Sequence, residues 1–227
     1  MSEFNIDPEF SVYRLVERAR QSMPIIQHRR TMSVISHEIE DATLIDYAKT
    51  TVFSSFQYMS KFLPQINRYT RLAQVADSVY VFGVPDVELP AIPNITYVPL
   101  SEDDQLTKEW FLVSFGERYY SALATEELSK FSDPDPLRQF KGVWTFDYGL
   151  VNILKDWLSD TVGLRRLSYD DTMRPDTSSQ THHVLKASER LRQRAARETD
   201  PTLRDELMLL VARGLHPVTK HLYAGML

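Results

Sequence analysis

Ser36, His37, Glu38, Ile39 and Glu40 place a hydroxyl, an imidazole and two carboxylates along one short helical stretch. A histidine followed by glutamate on a helix is how histidine kinases accept a phosphoryl group. Their box reads Ser-His-Glu, a hydrophobic residue, Arg or Lys, then Thr-Pro-Leu. Ser36 to Ile39 satisfy its first half, and Glu40, Asp41, Ala42 and Thr43 fail its second. The chain also lacks the D-x-G-x-G box of an ATP-binding domain, so it is not a complete kinase. His37 and Asp41 stand four residues apart, and Glu38 and Asp41 three, spacings at which helical side chains meet. Such a group could hold a metal or relay a proton. The plainer reading is a solvated charged face, and no catalytic or metal-ligating residue is assigned.

The remaining chemistry-bearing residues are dispersed. His182 and His183 read as part of a linker, and His216 and His221 flank Pro217 near the C-terminus, where a surface role is expected. Lys186, Arg190, Arg192, Arg194 and Arg197 make one basic segment, interrupted by Glu189 and read as a solvated helix face. No Walker box, G-x-G-x-x-G, G-x-S-x-G or H-E-x-x-H occurs, so the chain is read as a non-enzyme.

Composition narrows the class further. The 227 residues are 43% hydrophobic and 25% charged, enough apolar material for one sizeable core. A net charge of -5 gives no general attraction for nucleic acid, which needs a concentrated basic surface. With no cysteine there are no disulfides, thiolate nucleophiles, zinc ribbons or thioether-linked groups. No basic segment leads into an apolar one at the N-terminus, and no run of some 18 apolar residues occurs. The expectation is a cytoplasmic protein without a membrane partner.

Periodicity supplies the elements that must position these residues. A short helix is expected to end near Met23-Pro24, because the residue before proline disfavours helix. Met32, Ile35, Ile39 and Ala42 step by three and four and predict a helix from about Arg30 to Tyr47. The β-branched and aromatic runs TTVFSSFQY, SVYVFGV, ITYVPL, WFLVSF, RYYSALAT and GVWTFD read as strands. A helix over Gln65 to Ala76 separates the first two, and Gly116-Glu117 reads as a hairpin turn. An apolar helix from about Tyr148 to Leu164 closes the unit. The class is α/β (α+β), a central mixed sheet of about five strands flanked by helices, followed by a C-terminal helical extension. The expected division is an α/β domain over residues 1–167, a linker over 168–181 and the helical extension over 182–227. Leu203, Leu207, Leu210 and Leu215 form an apolar face on the last helix that needs a cover, and self-association into a homo-oligomer is one way to supply it.

Taken in order, Ser36-His37-Glu38-Ile39-Glu40, Phe56-Gln57, Arg68-Tyr69, VYVFGV, EWFLVSFG and KGVWTFDYGLV resemble the DICT sensory domain, named for its occurrence with diguanylate cyclases and two-component systems. The resemblance spans roughly Phe10 to Leu164. It implies that the kinase likeness is coincidental, since Glu40 belongs to the family's own helix motif. It further implies a non-enzymatic signal-input or docking module, in a family often linked to light responses. The partner would be a histidine kinase, response regulator or other signalling protein, with no ligand or cofactor specified. The motif residues it nominates for a ligand or partner site are Ser36, Glu40, Gln57, Tyr69, Trp144 and Asp147. Two other readings stay open: a transcriptional regulator binding DNA through Arg190 to Arg197, and a nucleotide-acting enzyme using carboxylates near Glu38 and Glu40.

Overall fold

The computed structural model describes residues 4–19, 25–129, 134, 138–164 and 176–214. The strands are β1 (Ile25–His28), β2 (Thr51–Tyr58), β3 (Ser78–Val84), β4 (Ile95–Pro99), β5 (Glu109–Phe115), β6 (Tyr120–Glu127) and β7 (Gln139–Thr145). The helices are α1 (Val12–Arg18), α2 (Arg29–Leu44), α3 (Ile66–Val75), α4 (Tyr148–Thr161), α5 (Thr177–Arg197) and α6 (Pro201–Gly214). All seven strands join one sheet in the order β1-β7-β6-β5-β2-β3-β4.

The sheet is mixed, as the sequence pattern requires. β2 pairs in parallel with β3 across the intervening α3, and β3 with β4, whereas every other neighbouring pair is antiparallel. The β5–β6 hairpin turns at Gly116, whose N–H donates to the Tyr119 carbonyl at 2.8 Å. A Cβ at this glycine would stand 2.0 Å from the Lys49 carbonyl oxygen, so only glycine fits.

Seven strands replace the expected five or so. The additional edge strand is β1, four residues that run directly into α2 and are too short to show alternation. It is recruited by antiparallel pairing with β7, from Ile25 opposite Gly142 to His28 opposite Gln139.

Side chains alternate across the sheet and build a core on each face. Val52, Val79, Val81, Leu112 and Leu123 pack with α2, α3, α5 and α6, while Phe53, Tyr80, Phe82, Phe111, Val113, Ala122 and Ala124 pack with α1 and α4. Because both faces are covered, the strands read as near-continuous apolar runs rather than as alternating ones.

Local signals start several helices. Ser11 Oγ accepts from the Arg14 N–H at 2.9 Å, Asp147 Oδ1 from Leu150 at 2.8 Å and Asp176 Oδ1 from Ser179 at 3.0 Å. Asp200 Oδ1 accepts from Thr202 and Leu203 at the start of α6, with Pro201 in its first turn. The Asp176 cap places the start of α5 inside the segment read as linker. Its first turn, Thr-Ser-Ser-Gln, carries no apolar stripe, which is why the sequence pattern begins later. His183 accordingly sits buried in a helix rather than on a linker.

The apolar face of α6 is covered by the chain itself. Leu203, Leu207 and Leu210 belong to the same core cluster as Met32, Ile35 and Ile39 of α2 and Leu191 of α5. Leu207 has no exposed surface. These three leucines are therefore not a free self-association surface, because folding back already removes them from water. Leu215, His216 and His221 lie outside the described residues, as do residues 168–175 of the linker.

A side-chain amide fixes the start of α5 to the sheet. Gln180 Oε1 accepts from the Tyr120 N–H at 3.0 Å, and Gln180 Nε2 donates to the Tyr120 carbonyl at 2.9 Å. This pairing satisfies the first backbone groups of β6.

Candidate functional site

A cleft opens between α2, α3 and the face of β2 and β5. Its empty volume is about 670 Å³ including the mouth, of which about 60 Å³ admits the centres of water molecules. The interior is thus compact. Helical geometry brings Ser36 and Glu40, four residues apart on α2, to the same side. β2 contributes Ser54 and Phe56 by alternation, and β5 contributes Trp110 and Leu112.

Gln57 reaches the same cleft through a backbone irregularity. The β2–β3 register shifts between Ser55 and Tyr58, and Gln57 adopts φ 59°. A regular strand would send adjacent Phe56 and Gln57 to opposite faces. The left-handed backbone at a non-glycine residue is an uncommon conformation at the mouth of a cleft.

The polar groups around the cleft fall into two classes. Glu40 and Gln57 are engaged by their own chain. Glu40 Oε1 accepts from the Tyr69 hydroxyl at 2.9 Å, and Oε2 accepts from Arg68 Nε. Arg68 Nη2 also donates to Asp41 Oδ1 at 2.6 Å and to the His37 carbonyl at 3.1 Å. Burial works against the Arg68 charge, but Glu40 and Asp41 overcome it and raise its pKa. Gln57 Oε1 accepts from Arg138 Nη2 at 2.9 Å, and its Nε2 donates to Glu127 Oε2 at 3.0 Å. Arg138 closes the triangle on Glu127 through Nε at 2.6 Å and Nη2 at 2.7 Å.

Ser36 and Ser54 form the second class. Both hydroxyls are buried, both residues line the cleft, and neither oxygen has a hydrogen-bond partner. Burial and the Glu40 charge raise the Tyr69 pKa; Ser54 stands near enough to that hydroxyl to act the other way, yet outside hydrogen-bond geometry. A buried hydroxyl without a partner costs about 1–3 kcal/mol, so two at one cleft are a notable departure from the satisfied norm. The aromatic part of the lining is Phe56, Tyr69, Trp110 and Phe111. Phe56 meets Tyr69 edge to face at 5.5 Å, the buried Phe62 behind the lining meets Tyr69 at 5.1 Å, and the Arg29 guanidinium lies 5.9 Å from the Trp110 ring. His37 also lines the cleft, and burial lowers its pKa, favouring the neutral imidazole.

Four of the six residues nominated from sequence, Ser36, Glu40, Gln57 and Tyr69, meet at this cleft. Trp144 and Asp147 do not line it. Trp144 Nε1 donates to Ser121 Oγ at 2.9 Å, and its ring packs 5.0 Å from Phe146. Asp147 caps α4. The D-x-x-L spacing ahead of an apolar helical run already carried that capping signal. Sequence reasoning missed Ser54 and Arg138 as cleft residues. Ser54 sits inside an apolar β-run, and nothing local distinguishes it.

The opposite side of α2 carries a second polar cluster. Glu38 lies two residues from Ser36, about 200° around the helix at 3.6 residues per turn. Arg190 Nε is 2.7 Å from Glu38 Oε2 and Arg190 Nη1 is 2.9 Å from Asp46 Oδ2. Lys186 Nζ lies 3.3 Å from Asp46 Oδ1. Glu38 is 4% exposed, so the solvated-face reading of Glu38 and of Arg190 is corrected: the two are mates across the α2–α5 contact. Burial raises the Glu38 pKa against the pull of Arg190. His183 Nδ1, 4.0 Å from Asp46, makes no hydrogen bond, and burial lowers its pKa.

This geometry bears on the two other readings. Glu38 and Glu40 are engaged on different sides of α2 by Arg190 and Arg68, so they do not form an acid–base pair. Arg190 is held by Glu38 and Asp46, which removes it from a DNA-facing surface. Among the described residues no group of three His, Asp or Glu side chains is placed to hold a metal ion, and no helix is long and apolar enough to cross a membrane.

Comparison with known proteins places this architecture. The family profile described as the sensory domain in diguanylate cyclases and two-component systems matches residues 9–128, more than half of the chain. That span holds Ser36, Glu40, Ser54, Gln57, Tyr69 and Trp110, whereas Trp144 and Asp147 lie beyond it. No curated protein matches the chain. With the matched segment supplying α2, the sheet from β2 to β6 and every cleft residue named above except Arg138, the chain belongs to the DICT sensory domain family.

Proposed function

We propose that this protein is a cytoplasmic, non-catalytic input module. Its cleft binds a small molecule, and α2 carries the occupancy of that cleft to α5 and α6. One observation supports the reading above the others: Ser36 Oγ and Ser54 Oγ are buried at the same cleft without partners. A fold that leaves two donors unsatisfied sacrifices stability at a place where a ligand restores it.

The coupling follows from α2 itself. Ser36 and Glu40 face the cleft, and Glu38 faces α5. A shift of α2 on ligand binding changes the Glu38–Arg190 contact, and the α5–α6 pair would then present an altered surface to a partner. That partner is a histidine kinase, a response regulator or another signalling protein. Any self-association uses residues other than the covered leucines; Leu185, Met208 and Leu209 are the exposed large apolar residues of α5 and α6.

Equilibrium unfolding of Ser36→Ala and Ser54→Ala tests the role of the two hydroxyls in the free protein, with no ligand added. Each substitution removes an unsatisfied hydroxyl, so stability is expected to hold or to rise, by up to about 1–3 kcal/mol. A loss above about 1 kcal/mol in both variants would mean that the hydroxyls serve the fold, and would count against a receptor site.

A further inference from the structure

The chemistry lining the cleft narrows its ligand to one class. Glu40, the carboxylate among the lining residues, is already engaged by Arg68 and Tyr69. A cationic ligand would therefore find no carboxylate available to it. Arg29, Lys61 and Arg138 also line the cleft, and although Arg138 is paired with Glu127, the formal charge of the lining leans positive rather than negative. The two unpartnered hydroxyls, Ser36 Oγ and Ser54 Oγ, can each donate and accept, and beside a lining without an available carboxylate and with cationic side chains it is their donor capacity that acceptor oxygens of an anion would match. Phe56 and Trp110 offer flat apolar surface beside them.

We propose that the cleft takes a small organic carboxylate bearing one planar ring, its oxygens accepting from Ser36 Oγ and Ser54 Oγ and its ring lying against Phe56 and Trp110. The proposal rests on the receptor reading above and gives it a chemical class. A nucleotide fits less well. The interior is compact, and the lining contains no glycine that would let a backbone cradle approach phosphates.

The test is calorimetric titration of the full chain with benzoate, benzamide and benzylamine, three one-ring compounds that differ in charge. Benzoate is expected to saturate, benzamide to bind at least about tenfold more weakly, and benzylamine not to bind. Such a tenfold change corresponds to about 1.4 kcal/mol. The double variant S36A/S54A, checked for an unchanged or higher unfolding midpoint, should weaken benzoate at least about tenfold.

Benzamide or benzylamine binding as tightly as benzoate, with the same sensitivity to the double variant, would overturn the carboxylate class and leave the receptor reading standing. Benzoate binding that ignores S36A/S54A would overturn the placement. Failure of all three to saturate would overturn the one-ring carboxylate class, while the unfolding of the single serine variants judges the receptor reading separately.

Discussion

Arg190 on α5 reaches Glu38 on α2 across 152 residues of sequence, with Nε 2.7 Å from Oε2. The same guanidinium holds Asp46, just past the end of α2. One side chain thereby joins the C-terminal helices to the helix that roofs the cleft.

Removing this guanidinium leaves two buried carboxylates without their main partner. Arg190→Ala is expected to lower stability by about 3 kcal/mol, at the low end for a broken buried pair because Lys186 still reaches Asp46. Denaturant unfolding measures the loss. Hydrogen exchange should quicken in α5 and α6 before the sheet amides are affected.

Arg68 supports the cleft from the other side. It donates to Glu40, to Asp41 and to the His37 carbonyl, so Arg68→Ala strands a buried Glu40. The expected loss is about 3 kcal/mol. Arg68→Lys, which keeps the charge but not the fork, should recover only part of it. Equal stability of the Lys variant and the wild type would show that the fork geometry does not matter.

A pH dependence should follow from Glu109, which sits fully buried beneath α1. Burial pushes its pKa up to about 7, although Ser11 Oγ and the Tyr13 N–H both donate to it. A carboxyl whose folded pKa is raised contributes its full stability below the unfolded value near 4.5 and loses it as pH climbs through 7. The wild type should lose about 3 kcal/mol over that window relative to Glu109→Gln, whose stability carries no such dependence. Parallel stability curves for the two proteins from about pH 4 to about pH 8 would contradict the assignment.

Leu207 tests the covered face of α6. Leu207→Ala should lower stability by about 2–5 kcal/mol, because the side chain is buried among α2, α5 and α6. Its sedimentation behaviour should match that of the wild type. A change of oligomeric state with stability intact would place the leucine face in a subunit interface instead.

Much of the sheet is legible in the amino-acid sequence itself. β-branched and aromatic runs locate six strands, and Gly116 marks the hairpin that the Lys49 carbonyl enforces. Four cleft residues are legible through the family's motifs. Local pattern fails where the deciding contact is remote. Glu38 and Arg190 each look solvated on their own helix, and only the packing of α5 on α2 makes them partners. Ser54 looks like any small residue in a strand until the fold leaves its hydroxyl without a partner. Gln57 joins Phe56 in the cleft through a positive φ that a glutamine in a strand pattern does not announce.

The most direct measurement is native mass spectrometry of the intact chain after incubation with the small-molecule fraction of its own host. A discrete non-covalent adduct is expected on the wild type, lost or much reduced on S36A/S54A, with both proteins folded. A wild-type spectrum without an adduct, or an adduct retained equally by the double variant, would contradict a receptor site at Ser36 and Ser54.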